Sequence, residues 1–464
     1  MAKIKIGLLP LWLKLYDEFC AEQRPSAEAF TKQIAEEYIC RSIEVIQAPI
    51  CMEKKDFDAA VIMFETEKVD LILTLHLAYS PSLESIDALA RTRLPLVILD
   101  TTPEYDFGFE QEKAAIMHNH GIHGVQDMCN MLIRKDKSFI IEAGHWKESD
   151  VIERTIKHFN ACRMSSAMTR AKVGIIGNPF KGMGDFFVDF HKLENTIGMK
   201  VISADMDSWK SSIESISEAE IDQESQININ KFESESLSKT AMHNTSASCL
   251  AVRKWIETEN LDAFTVNFLD ITKESGLPVV PFLEASRAMT QGKGYAGEGD
   301  VLTAALVGAL MTNYPETTFS EMFCPDWKSN RVFLSHMGEI NTDLCSDKVL
   351  LGEREFPFTD AGNPVTAKGC LKPGKACLVN LAPGPGDSYK LIASEVEMCD
   401  TMGKEKIHSV RGWFKTKLPI NRFLEEYSKN GGTHHLAISY GANMNELKEF
   451  AEIMNWDFKD ITNG

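Results

Sequence analysis

The run Asp70–Leu77, DLILTLHL, decides the fold. It is almost continuously apolar, so both faces of the segment expect burial. A strand buried on both faces belongs in a parallel sheet covered by helices. Reading outward, Lys3–Leu9, Ser42–Ala48, Leu94–Leu99 and Ser138–Ala143 are strand-like, while Ala27–Tyr38 and Phe57–Lys68 have helical spacing. Strands alternating with helices predict a doubly wound domain over residues 1–168. The pattern restarts at Lys172–Ile176 and Lys200–Ala204. It continues through Asp262–Phe268, a helix at Pro281–Thr290 and a helix at Asp300–Met311 with Asp300 as N-cap. That is a second doubly wound, Rossmann-like domain over 169–317. Between them, Ser208–Ser248 is rich in Ser and Glu, and Ile213, Ile216 and Ile221 predict helices with a solvated acidic face.

Beyond Thr318 the pattern changes. Arg331–Ile340, Lys348–Glu355, Ala376–Leu381, Tyr389–Val396 and His408–Phe414 are short strand-like runs separated by Gly, Pro and Asp, with no long helix between them. They predict an antiparallel, barrel-like domain over 318–464, closed by a strand at His435–Ser439 and a helix at Asn445–Met454. The fold class is therefore α/β: two tandem doubly wound domains, then a β-rich one.

The chain has 464 residues, 44% hydrophobic and 25% charged, with a net charge of −18. Such acidity disfavours nucleic acid and anionic membranes as partners. No apolar run approaches the roughly 20 residues of a membrane span. The N-terminus, MAKIKIGLLPLWLKLYDEF, lacks a cleavage site for a signal peptide. The eleven cysteines are scattered without a CxxC pair, so most are expected to be buried thiols in a reduced, cytoplasmic setting.

Four residues carry the chemistry: Glu298 in GYAGEGDVLTAAL, Glu321 in TTFSEM, His336 in FLSHMGEIN and His435 in GTHHLAISYG. Taken singly, each has an ordinary structural role: a carboxylate at a helix start, a surface carboxylate, a core histidine, a strand residue. Glu298 reads as part of a glycine-rich turn between two helical stretches, and Glu321 as part of a Thr/Ser-rich turn. Adjacent strand residues point to opposite faces, so only one of His434 and His435 is expected to face a shared site. Gly292, Gly294 and Gly297 match GxGxxG, but that fingerprint needs a preceding strand, and a helix-like segment stands there instead. Together, two carboxylates and two imidazoles suit a divalent metal, manganese first, with zinc, cobalt or iron as competitors. Such a site leaves room for two adjacent sugar oxygens, and its carboxylates can move a proton between neighbouring carbons. That is aldose–ketose isomerisation through a cis-enediol, an intramolecular oxidoreduction.

At these residues the chain resembles the L-arabinose isomerase and L-fucose isomerase superfamily, the arabinose branch most closely. The likeness is carried by GYAGEGDVLTAAL and by HHLAISYGANMNELKEFAEIMNWDF at 434–458. Weaker similarity lies at LTLHLAYSP (73–81), NHGIHGVQD (119–127), AGHW (143–146) and DAFTVNFLD (262–270). The resemblance implies three domains and a manganese ion on Glu298, Glu321, His336 and His435, with the two glutamates as the acid/base pair. It implies a substrate-contacting His123 supplied by a neighbouring subunit, with Thr265 and Phe268 lining the pocket, and a homo-oligomer, trimeric or hexameric. The chain departs from the family at the sugar. PLWLKLYDE replaces a polar first-strand loop, His120 stands at a Gln position, Phe180 lies near a replaced Met, and Glu321-Met322-Phe323-Cys324 replaces an acidic, aromatic run. The expected substrate is a free sugar, an L-arabinose-like pentose or a 6-deoxyhexose. The competing expectations are a sugar-binding or regulatory protein on the same fold, or a metal-dependent epimerase or lyase sharing the enediol step.

Overall fold

The computed structural model describes residues 3–235, 237–346, 348–401 and 406–464. It divides into two compact units, Met1–Ala167 with Glu452–Asn455, and Met168–Ala451 with Trp456–Gly464.

The first unit is built on five parallel strands: β1 (Lys5–Leu11), β2 (Glu44–Gln47), β3 (Leu71–His76), β4 (Leu96–Asp100) and β5 (Ile140–Ala143). Their order is β2-β1-β3-β4-β5. Every residue of β3 is buried, and alternate residues feed two separate cores. Leu71, Leu73 and Leu75 pack with Phe30, Ile34 and Phe159 on one face. Ile72 packs with Phe57, Phe64, Leu89 and Met128 on the other. Helices cover both faces, as the apolar run Asp70–Leu77 predicts.

The second unit contains another parallel sheet: β6 (Lys172–Ile176), β7 (Lys200–Ser203), β9 (Ala263–Val266) and β10 (Gly294–Gly297), ordered β10-β9-β6-β7. Between β7 and β9 the Ser/Glu-rich stretch is helical, at Met206–Glu214, Glu218–Lys231 and Lys239–Thr258, interrupted by a two-residue strand, β8 (Glu233–Ser234). Ser217 and Glu220 form a capping box at the second helix. Ser236 of that stretch lies outside the described residues.

The rest is a large mixed sheet. Its further strands are β11 (Thr317–Asp326), β12 (Arg331–Ser335), β13 (Leu350–Glu353), β14 (Val365–Cys370), β15 (Gly374–Pro383), β16 (Tyr389–Met398), β17 (Val410–Thr416), β18 (His435–Tyr440) and β19 (Asp457–Asp460). The order is β19-β16-β15-β18-β11-β12-β17-β14-β13-β8, β16 also pairs with β17, and the sheet is mixed rather than antiparallel as expected, because β8–β13, β14–β17 and β16–β19 run parallel. Leu334, Leu378, Ile392, Phe414 and Ile438 fill the core of this sheet.

Four expectations need correction. The glycine-rich segment before Glu298 is a fully buried strand, β10, rather than part of a turn between helices. Glu321 lies inside the ten-residue strand β11, with no turn at that point. A helix at Ile420–Lys429 interrupts the β-rich region and buries Ile420, Phe423 and Tyr427. The cysteines are less buried than expected: all eleven are free, five are buried, four partly so, and Cys40 and Cys324 are exposed. Among the described residues, no helix is long and apolar enough to cross a membrane.

Candidate functional site

β10 ends where Glu298 begins, at the carboxyl edge of the parallel sheet, where open α/β sheets place their ligand sites. Glu298 adopts φ 64, a left-handed conformation that is rare for a residue with a side chain. Such a conformation persists only where its surroundings enforce it. Here the backbone N–H of Glu298 donates to Val266 O at 2.8 Å, and its carbonyl accepts from Phe180 N at 2.9 Å. The Thr265 hydroxyl donates to Gly297 O at 3.1 Å and accepts from Gly299 N at 2.9 Å. Gly297 has no substitute at this point, because a Cβ there would lie 2.5 Å from the His336 ring.

The other three residues converge through strand register. β11 runs between β12 and β18, and Glu321 sits opposite both Ser335 and His435. His336 follows Ser335 directly, just past the end of β12. Phe319, two residues before Glu321 on the same face of β11, presents its ring edge-on to both imidazoles, at 4.8 Å from His336 and 4.9 Å from His435. Phe186 stacks on His435 at 5.1 Å.

One ligand atom from each of Glu298, His336 and His435 lies within 4.8 Å of the others, and all three residues are buried. Glu321 stands beside this group rather than within it. Each imidazole faces a buried carboxylate through Nδ1: Asp300 Oδ2 at 3.1 Å from His435, and Glu339 Oε1 at 2.9 Å from His336. Asp300 is the helix N-cap, its other oxygen accepting from Thr303 N at 2.9 Å. Glu339 also accepts from the Tyr295 hydroxyl at 2.9 Å. A carboxylate behind a histidine fixes its ring and raises its basicity as a ligand. Nε2 of both histidines is buried without a hydrogen-bond partner, and the close approach of Glu339 to His336 Nδ1 is that of an ion pair rather than a formed hydrogen bond.

The charges are unbalanced. Glu298, Glu321, Asp300 and Glu339 gather here, and none is paired with a lysine or arginine among the described residues. Buried charges are normally paired or bound to metal. Burial acts to raise the Glu298 carboxyl, but His434, His336 and His435 outweigh it and hold it below the ordinary range. At Glu321 burial wins, and the carboxyl is raised. Burial would lower the fully buried His336, but Glu339, Glu298 and Glu321 raise it instead.

His434 precedes β18, and strand alternation does not turn it away. Its Nδ1 meets Asp185 at 2.6 Å and its Nε2 lies 3.8 Å from Glu298, while His435 Nε2 lies 3.6 Å from the same carboxylate. Burial opposes protonation of His434, but Asp185 and Glu298 lift it to about 10. Asp185, despite its own burial, is held down to about 2 by His434. The sequence points to Asp300 only as a helix N-cap and to His434 only as one of a pair with a single inward member, and it gives no sign of Asp185 or Glu339 beyond the His336-x-x-Glu339 spacing.

Of the residues expected to line a sugar pocket, Thr265 is wholly buried and its hydroxyl braces the Glu298 turn. Phe268 packs on Phe180, Phe356 and Phe358. His120 and His123 belong to the first unit. There the Tyr16 hydroxyl meets His120 Nε2 at 2.8 Å, and the His120 and His123 rings lie 5.9 Å apart. Trp12 is a core residue of that unit, its indole N–H donating to Asp17 at 2.9 Å.

Two family models match the chain: the L-arabinose isomerase central domain over residues 187–313, and the L-arabinose isomerase C-terminal domain over 316–457. The L-arabinose isomerase of Klebsiella pneumoniae (strain 342) is 23% identical over 433 residues, covering 86% of this chain and 82% of that one. That of Herpetosiphon aurantiacus is 24% identical, covering 85% and 80%. L-arabinose isomerase 2 of Bacillus licheniformis is 22% identical, covering 95% of each. With both models lying end to end across the second unit and relatives aligned through most of both chains, this chain belongs to the L-arabinose isomerase family and is an isomerase.

Proposed function

We propose that the protein interconverts an aldose and its ketose at a divalent cation held by Glu298, His336 and His435, with Glu321 as fourth ligand. The observation that carries this reading is the pair of buried, unpartnered Nε2 atoms converging on Glu298 in a cluster with excess carboxylate. The donor set fits such an ion, and manganese suits it best. When bound, the cation supplies Lewis acidity and a template for two adjacent sugar oxygens.

The chain's own residues divide the proton work. Glu298 and Glu321 are the acid/base pair: one takes a proton from one carbon of the C1–C2 unit and the other helps return it to the neighbouring carbon, through a cis-enediol. Asp300 and Glu339 orient the imidazoles, and Phe319 and Phe186 exclude water from them.

On this reading the protein has domains at 1–168, 169–317 and 318–464, the last β-rich and barrel-like, a reading in keeping with the β16–β17 pairing. It works in the cytoplasm as a homo-oligomer, trimer or hexamer, in which a neighbouring subunit brings His123 to the sugar. Family likeness makes L-arabinose-like pentoses and 6-deoxyhexoses the first substrates to test.

The experiment strips metal with a chelator, restores manganese and follows ketose formation. Activity that returns with manganese and yields a product of unchanged mass is expected. Smaller fragments would indicate a lyase. Protein that binds no metal would remove the proposed centre.

A further inference from the structure

A cavity of about 470 Å³ opens beside His336, with Ser335, Met337, Phe323 and Arg354 in its wall. Arg354 follows β13 and is partly buried. Its guanidinium donates to the carbonyl oxygen of Met337, the residue next to His336, and touches Met337 Sδ at 3.8 Å. Among the described residues no carboxylate lies within ion-pair distance of it. A guanidinium has five N–H donors in a fixed fork, and a carbonyl and a sulfur leave most of them unused. Burial lowers the Arg354 guanidinium, and the one carboxylate acting on it, Glu339, does so only from beyond ion-pair distance, so its charge is left without a direct partner, which is costly.

The other charged groups of the wall do not supply one. The Glu353 carboxylate accepts from Ser238 N at 3.3 Å and Asn363 Nδ2 at 3.4 Å. Glu355 is exposed, so water already solvates it. Lys368 is tied to Glu235 at 2.6 Å. His408 adds an exposed imidazole on the same cavity.

We infer that Arg354 receives an anionic group at the far end of the sugar held beside His336, so that the substrate is an acidic sugar, a uronate or an aldose phosphate. The planar fork matches either anion with two parallel hydrogen bonds. The inference rests on the isomerase reading of the same site. It replaces the neutral pentose or 6-deoxyhexose by a charged sugar.

The test compares manganese-loaded full-length enzyme on uronates, aldose phosphates and their neutral parents. One anionic class is expected to exceed its neutral parent in kcat/KM by on the order of 100-fold, the scale of a buried charge pair. Which class it is names the anion. Arg354→Gln should collapse that preference mainly through KM, and Arg354→Lys should restore part of it. A neutral sugar turned over as well as any anionic one, or a preference unchanged in Arg354→Gln, overturns the inference. Calorimetry with an alditol phosphate and an aldonate, which have no carbonyl to isomerise, separates this result from failure of the isomerase reading. Binding that Arg354→Gln abolishes supports the anion site even without turnover, and no binding of either probe to the parent protein refutes it.

Discussion

Both units bury a histidine in their interior, and only one of the two settings resembles a working centre. In the first unit His76 ends β3, fully enclosed, with neither ring nitrogen hydrogen-bonded. Gly124 leaves room for it, since a Cβ there would lie 2.5 Å from the ring. Burial pushes its imidazole down to about 3, so it is neutral. In the second unit His336 and His435 are equally buried and equally unpartnered at Nε2. The difference lies behind the rings. Asp300 hydrogen-bonds His435 Nδ1, the Glu339 carboxylate lies 2.9 Å from His336 Nδ1 at ion-pair distance, and Glu298 stands in front. His76 has the Asp127 carboxylate only at long range. Burial of a histidine is therefore not the mark of the site. A carboxylate on one side and a shared focus on the other are.

The comparison breaks most sharply at the carboxylates in front of the histidines. Glu298→Gln and Glu321→Gln should each lower turnover by about 10³-fold or more, the upper part of the range for losing an acid or base. Steady-state assays with manganese check this, and a variant keeping near-normal kcat would remove that glutamate from the proton path. Behind the histidines, Asp300→Asn and Glu339→Gln should weaken metal binding about 10–100-fold. Metal titration followed by elemental analysis measures it, and unchanged affinity would mean the carboxylates only cap and pack. Gly297→Ala should act in the same direction and also lower the melting temperature, because its methyl group would lie 2.5 Å from the buried His336 ring.

The smallest effect on the centre belongs to His76. His76→Leu should leave metal stoichiometry unchanged, since no ligand set surrounds that ring. Its signature is in stability against pH. The unfolded chain takes up a proton near pH 6.5, which folded His76 refuses until about pH 3. Stability is therefore fully present above the unfolded value and lost as pH falls through that window, by up to about 1.4 kcal/mol per pH unit. Urea unfolding at pH 7 and pH 5 should show this loss in the parent and a flatter response in His76→Leu. Equal slopes would mean that His76 is hydrated in solution.

Much of the fold was legible because its signals are local. The run Leu71–His76 is apolar on both faces, and only a covered parallel strand uses such a sequence well. The Asp300 cap was legible for the same reason, an acceptor standing directly before a helical run. Gly294–Gly297 was misread, because glycine disfavours strands on propensity alone. It forms one only because β9 and the helix Val301–Met311 enclose it. Thr317–Asp326 was misread as a turn from its Thr and Ser residues, whose hydroxyls are satisfied here by the tertiary structure, as Thr317 is by Ser439 at 2.8 Å. The helix Ile420–Lys429 was readable but missed: Ile420, Phe423 and Tyr427 recur at the helical spacing i, i+3, i+7 and form its buried face.

By itself the sequence determined the alternation of strands and helices, the change to short strands after residue 318, and the chemical identity of Glu298, Glu321, His336 and His435. These follow from periodicity and side-chain type, which need no neighbours. Tertiary structure decided which of those groups meet. Register places Glu321 opposite His435 and brings His336 past the end of β12. The turn of Glu298, the carboxylates behind the rings and the lone Arg354 beside them depend on backbone path and rotamer. Those are set by contacts between segments up to 249 residues apart along the chain, from Asp185 to His434, and no local pattern encodes them.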